Sequence, residues 1–198
     1  MKIGLTGSIA CGKSTVSQYL RELGYFVADA DAISHALTAP NGSALPALRA
    51  AFGDSVFDGD VLNRRALGAL VFSCSEKRAQ LNAILHPMII AQMNAELDAQ
   101  DAQDTLVFGD VPLLFECGME TMFERVWVVS TSAEIQLERL MTRDHLSREE
   151  ALARVQAQMP LEEKRRRADA VIDSSGSLSE TRRQIDCLIA SIASVASI

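Results

Sequence analysis

A surplus of positive charge is missing from this chain. Its 198 residues carry 26 acidic against 19 basic side chains, a formal net charge of −7. That balance argues against a nucleic-acid binder, which normally presents a basic excess, and no nucleic-acid partner is expected. Any anionic ligand must be gripped by cations gathered locally. No apolar run approaches the roughly 18–20 residues that cross a bilayer, so no membrane role is expected either. Cysteine is sparse and unpatterned: Cys11, Cys74, Cys117 and Cys187 show neither metal-ligand spacing nor C-x-x-C pairing. No signal-peptide pattern occupies the N-terminus, and a reducing cytoplasm is the expected setting. Internal repeats and low-complexity tracts are also lacking.

What is present is a rhythm of short apolar runs, at 2–6, 25–28, 105–111, 125–130 and 170–173. Continuous Val/Ile/Leu/Phe runs separated by helical patterns are the signature of βαβ units whose strands are buried on both faces. A parallel five-stranded α/β sheet follows as the expected fold. The long interval between the second and third runs instead suits helices, at 31–37, 44–52, 64–72, 76–85 and 87–100, and reads as a helical insertion. The last segment, 178–195, places Ile185, Leu188, Ile189 and Ile192 on one stripe of an amphipathic helix.

Directly after the first run, Gly7-Ser8-Ile9-Ala10-Cys11-Gly12-Lys13-Ser14 matches G-x-x-x-x-G-K-[ST] and opens a helical pattern. Glycines let main-chain amides close around a phosphate without a Cβ clash, and a helix N-terminus turns its partial positive charge toward the anion. ATP is the expected nucleotide, held by Gly7, Ala10, Cys11, Gly12, Lys13, Ser14 and Thr15. Lys13 would reach the β- and γ-phosphates, and the Ser14 hydroxyl would ligate Mg²⁺. Cys11 admits two readings: a thiol activated by the helix end and the neighbouring lysine, or a small side chain filling the loop.

No asparagine is followed by lysine, so the guanine-specific N-K-x-D of GTP switches is missing, and the run 106–110 ends without the Asp-Glu pair of motor ATPases. A small-molecule kinase remains. It needs a carboxylate to receive a hydroxyl proton and cations for the transferred phosphoryl group. Asp29-Ala30-Asp31 follows the second run, and strand alternation would set both carboxylates on one side; either could receive the proton, with helix N-capping as the structural alternative for Asp31. Arg139 and Arg143, four residues apart, share a helix face and can present two guanidinium forks to a polyphosphate, with solvated surface arginines as the structural alternative. Lys164-Arg165-Arg166-Arg167 follows Glu162-Glu163, the order that complements a helix dipole. Arg64-Arg65 begins a helix, where positive charge is not dipole-favoured and an anionic substrate would explain it.

Together these residues resemble the dephospho-coenzyme A kinases, which phosphorylate the ribose 3′-hydroxyl of dephospho-coenzyme A. The likeness runs through Thr6-Gly7 to Thr15, Asp29-Ala30-Asp31, Asn63-Arg64-Arg65-Ala66-Leu67, Leu85-His86-Pro87, Pro112-Leu113-Leu114-Phe115-Glu116, Gln136-Leu137 with Arg139 and Arg143, and Ala168-Asp169-Ala170-Val171-Ile172-Asp173. It implies a P-loop core of three α/β/α layers at 1–33 and 101–198, a lid at about 142–165, and a helical substrate-binding insertion at 34–100. It also implies ATP and Mg²⁺ as cofactors, catalysis by Asp31, Lys13, Arg139 and Arg143, and substrate contacts from Asp31, Arg64, Arg65 and His86. A monomer acting on a small molecule is expected; another small-molecule P-loop kinase is the alternative. His86 also admits a plainer role, ending one helix before Pro87 starts the next. Two departures stand out: Ser8 and Ala10 occupy positions where many members have glycine, and Ser174-Ser175-Gly176 replaces an asparagine-containing turn.

Overall fold

Strand β1 (Lys2–Gly7) opens the chain, and its Ile3 and Leu5 have no solvent exposure. Burial on both faces is why the segment reads as an unbroken apolar run. The structure is a computed structural model, and it describes residues 1–101 and 106–195. The elements that follow are α1 (Lys13–Glu22), β2 (Phe26–Asp29), α2 (Ala30–Leu37), α3 (Leu45–Phe52), β3 (Phe57–Asp58), β4 (Val61–Leu62), α4 (Arg64–Ser73) and α5 (Ser75–Asp101). After them come β5 (Val107–Asp110), β6 (Arg125–Ser130), α6 (Ala133–Asp144), α7 (Arg148–Gln156), α8 (Leu161–Arg167), β7 (Ala170–Asp173) and α9 (Leu178–Val195).

The five expected runs form the expected five-stranded sheet, in the order β2-β5-β1-β6-β7. Strand β1 runs parallel to both β5 and β6, with Leu5 opposite Asp110 and Gly7 opposite Val129, and β7 continues the parallel pattern. Thr105, with which the third run begins, lies outside the described residues. Because these strands point the same way, the carboxyl ends of β1 and β5 bring Gly7 and Asp110 to one edge, where open α/β sheets bind ligands. Beneath that edge Val16 and Leu20 of α1 pack with Ile3, Leu5, Phe108, Trp127 and Ile172. The α9 stripe joins them as expected, with Ile185 fully buried and Leu188, Ile189 and Ile192 packed alongside.

Two compact units divide the chain, Met1–Ala28 with Leu97–Ile198 and Asp29–Glu96. The second has its own core, in which Leu48 and Phe52 of α3 meet Val56, Phe57, Leu62 and Leu67.

Three expectations are corrected in this unit. Pro87 does not divide two helices, since α5 runs through it without interruption. A small antiparallel hairpin, β3 with β4, stands where only helices were expected. Asp31 does not continue the second strand: β2 ends at Asp29, whose side chain accepts hydrogen bonds from the amides of Asp31 (2.9 Å) and Ala32 (3.1 Å). Asp29 is therefore the N-cap, and Asp31 sits in the first turn of α2, where a carboxylate is favoured by the helix dipole.

Candidate active site

The loop between β1 and α1 has a backbone that only certain residues permit. A Cβ on Gly7 would come within 2.7 Å of the Val129 carbonyl oxygen, and this main-chain neighbour cannot yield. Gly12, the N-cap of α1, adopts φ 85°, and Ala10 adopts φ 59°, the left-handed region in which an L side chain costs about 1–2 kcal/mol. The common glycine at position 10 in the family's pattern thus has a conformational basis, and this chain tolerates alanine there at a cost in strain.

Side chains from outside the loop hold its carbonyl groups. Lys164 Nζ donates to Gly7 O (3.4 Å), Gln136 Nε2 to Ile9 O (2.8 Å) and Ser174 Oγ to Cys11 O (2.7 Å). Gln158 Oε1 accepts from the Ile9 amide at 2.8 Å. The first-turn amides of α1, at Lys13 and Ser14, have no intrahelical acceptor. They make this end of the loop a site for an anion, reinforced by the helix dipole.

Lys13 forms an ion pair with Asp110, which also accepts a hydrogen bond from the Ser17 hydroxyl. Asp110 is only 3% exposed, so this carboxylate is held in place by two donors from α1. Sequence reasoning passed over it, testing the run 106–110 only for an Asp-Glu pair; an acidic residue closing an otherwise apolar strand was the available signal. Ser14 and Asp110 supply hard oxygen donors suited to Mg²⁺. Among the described residues no group of three or more His, Cys, Asp or Glu side chains could hold a metal. Phosphate and water oxygens would complete the coordination sphere, which is how kinases commonly hold this ion.

Beside the loop lies a cavity of about 770 Å³, lined by Gly12, Ser14, Thr15, Arg139, Arg143 and Ser174 among others. Its volume is within the range typical of small-molecule sites. Both arginines of α6 reach it, as their four-residue spacing leads one to expect. Arg139 donates to Ser174 O (2.8 Å) and Ser174 Oγ (3.1 Å). The serine that departs from the family's asparagine turn therefore joins Arg139 to the loop carbonyl of Cys11. Arg143 grips Asp144 with two hydrogen bonds (2.7 and 3.1 Å), Arg154 adds a third (2.8 Å), and the Arg143 bond holds the Asp144 carboxyl below its usual range.

Cys11 is 1% exposed, and its burial pushes the thiol pKa up against the opposing influence of Lys13 and Lys164. Desolvation outweighs these cations, which is the opposite of what an activated thiol needs and favours the reading of Cys11 as a side chain that fills the loop.

The remaining sequence candidates belong to the unit Asp29–Glu96. Asp31 is exposed on α2. Arg64 and Arg65 occupy the first turn of α4, where the Asn63 side chain accepts from the Ala66 amide (2.9 Å). Arg64 donates to the His35 carbonyl (3.2 Å) and borders a cavity of about 210 Å³ with Ser34, Thr38 and Leu85. His86 lies inside α5, so it neither ends nor caps a helix; it is half-buried, and burial lowers its pKa.

A glycine-rich loop from the first strand into α1, a lysine at its end and a carboxylate closing the adjacent strand define the P-loop kinase class. Within that class, a family model described as dephospho-CoA kinase matches residues 1–180. The chain is 48% identical over 179 residues to the dephospho-CoA kinase of Bacillus licheniformis, covering 89% of each protein. It is similar in structure to TT1252 from Thermus thermophilus, with a TM-score of 0.82, 41% identity, and coverage of 96% of this chain and 97% of that one. The dephospho-CoA kinase from Campylobacter jejuni follows at a TM-score of 0.67 and 30% identity, with 96% of both chains covered. The chain belongs to the dephospho-CoA kinase family.

Proposed function

We propose that this protein transfers the γ-phosphoryl group of ATP to the ribose 3′-hydroxyl of dephospho-coenzyme A, yielding coenzyme A. Family membership supports the acceptor, and one observation supports the donor site: Lys13, Ser17 and Asp110 joined beneath a loop whose carbonyls are committed to side chains outside it.

In this reading residues 1–33 and 101–198 form the nucleotide-binding core and 34–100 the substrate-binding insertion. The amides of the loop from Gly7 to Thr15 surround the β-phosphate, and Lys13 leaves Asp110 to reach the β- and γ-phosphates. Ser14 and Asp110 would hold Mg²⁺, which would supply charge neutralisation for the phosphates. Arg139 and Arg143 bind the oxygens of the transferred group, over which the charge of a loose transition state is spread. Arg143 must exchange Asp144 for phosphate, which suits a residue at the start of a lid spanning about 142–165; closure of that lid excludes water as a competing acceptor. Asp31 accepts the proton of the 3′-hydroxyl. Arg64 and Arg65 bind phosphates of the acceptor, and His86 contributes a hydrogen bond instead of a charge, given its lowered pKa.

An acceptor panel tests the proposal. ADP release should require dephospho-coenzyme A and stay at background with nucleosides, nucleotides and metabolite alcohols; turnover with one of those and not with dephospho-coenzyme A would overturn it.

A further inference from the structure

The first cation of the run Lys164-Arg165-Arg166-Arg167 is not on the surface. Lys164 has no solvent exposure, although it lies on the short helix α8 beside exposed arginines. Its ammonium donates to Gly7 O (3.4 Å) and Pro112 O (3.3 Å), and it forms an ion pair with Glu116 Oε1 at 2.8 Å. Three acceptors match the three N–H bonds of an ammonium. Gly7 is the last residue of β1 and the first of the phosphate loop, while Pro112 lies two residues beyond Asp110 at the end of β5. One side chain therefore ties together the two strand ends that carry the loop and its carboxylate. Glu116 Oε1 also accepts from the Met159 amide (3.0 Å), extending the tie to the connection before α8.

Burying an ammonium costs several kcal/mol before its partners compensate, so for stability alone an apolar side chain of the same length would often serve as well or better. We infer that Lys164 is a positioning residue for phosphoryl transfer: it holds the Gly7 carbonyl to the side and sets the spacing between the phosphate loop and Asp110, so that the nucleotide meets a formed site. The inference rests on reading the loop as a nucleotide site, but it does not depend on the acceptor.

The test measures Mg·ATP affinity by calorimetry in Lys164→Met, which keeps the side chain's length and removes its charge. The Kd should rise about tenfold or more, and kcat with dephospho-coenzyme A should fall, while the KM for dephospho-coenzyme A stays within about twofold. A purely structural lysine would change the melting temperature and leave the Kd of the folded protein alone, and an unchanged Kd overturns the inference. If Lys164→Met does not fold, Glu116→Gln keeps an acceptor oxygen but removes the ion pair; it should raise the Kd about threefold, and a wild-type Kd there is equally fatal. Arg166→Met, at an exposed position of the same run outside the lid, is the control. Its Kd should match the wild type, and a rise equal to that of Lys164→Met would show a loss of general positive charge and contradict positioning. Failure of the wild-type protein to use dephospho-coenzyme A would refute the acceptor assignment without touching this result.

Discussion

Single residues carry the chemistry, and they were unevenly legible. Lys13 and Ser14 could be placed from sequence because the P-loop is a local pattern, in which eight consecutive positions define a strand end, a turn and a helix start. Asp110 and Lys164 belong to the same assembly but come from distant segments; an acidic residue closing an apolar run is the one local hint of Asp110, and nothing in the sequence sets Lys164 apart from the arginines that follow it. Asp29 and Asp31 show a subtler limit, since a two-residue spacing means one face on a strand but not across a strand-to-helix junction. The roles now separate by experiment. Asp31→Asn should lower kcat at least about tenfold, a barrier rise of about 1.4 kcal/mol, with the Mg·ATP Kd unchanged. Lys13→Ala should impair affinity and turnover together. Calorimetry with steady-state kinetics distinguishes them, and unaltered kcat in Asp31→Asn removes Asp31 from the base role. Cys11 makes a separate prediction. With a raised thiol pKa and 1% exposure it should resist iodoacetamide at pH 7.5 while exposed Cys187 is alkylated. Peptide mass spectrometry reads both sites, and equal labelling would refute the buried-thiol account.

Among elements, the buried strands were the most legible, because burial on both faces forces a continuous apolar run with few alternatives. The hairpin β3–β4 was not, since strands of two residues are too short to display a period of two. Helix α5 was misread for a different reason. Proline favours the first turn of a helix, and the sequence alone cannot reveal that packing of Leu81, Ile84, Leu85 and Met88 against the second core carries the helix through Pro87. That continuity has a cost, since an interior proline removes a hydrogen bond and crowds the preceding turn, at about 3 kcal/mol relative to alanine. Proline also restricts the unfolded chain, which offsets about 1 kcal/mol of that cost. Pro87→Ala should therefore stabilise the protein by on the order of 1–2 kcal/mol, raising Tm by several degrees in differential scanning calorimetry. A lower Tm would show that Pro87 is better accommodated than a helix interior normally allows.

At the scale of the whole molecule, the net charge of −7 and the anionic ligand are reconciled by placement. Arg139 and Arg143 border the cavity beside the loop, Lys13 stands at the loop's end, and Lys164 is buried behind it. The strand order could not be read from composition or spacing, since it depends on which crossover each helix makes, yet it is that order which sets β5 beside β1 and Asp110 beside Lys13. The central claim is that this assembly passes a phosphoryl group from ATP to one particular hydroxyl. Its most direct test is transfer from γ-³²P-labelled ATP in the presence of dephospho-coenzyme A, followed by digestion of the product with a 3′-nucleotidase. The account predicts label in coenzyme A that the nucleotidase releases completely; label found in free phosphate from the outset, or retained in the product after digestion, would contradict it.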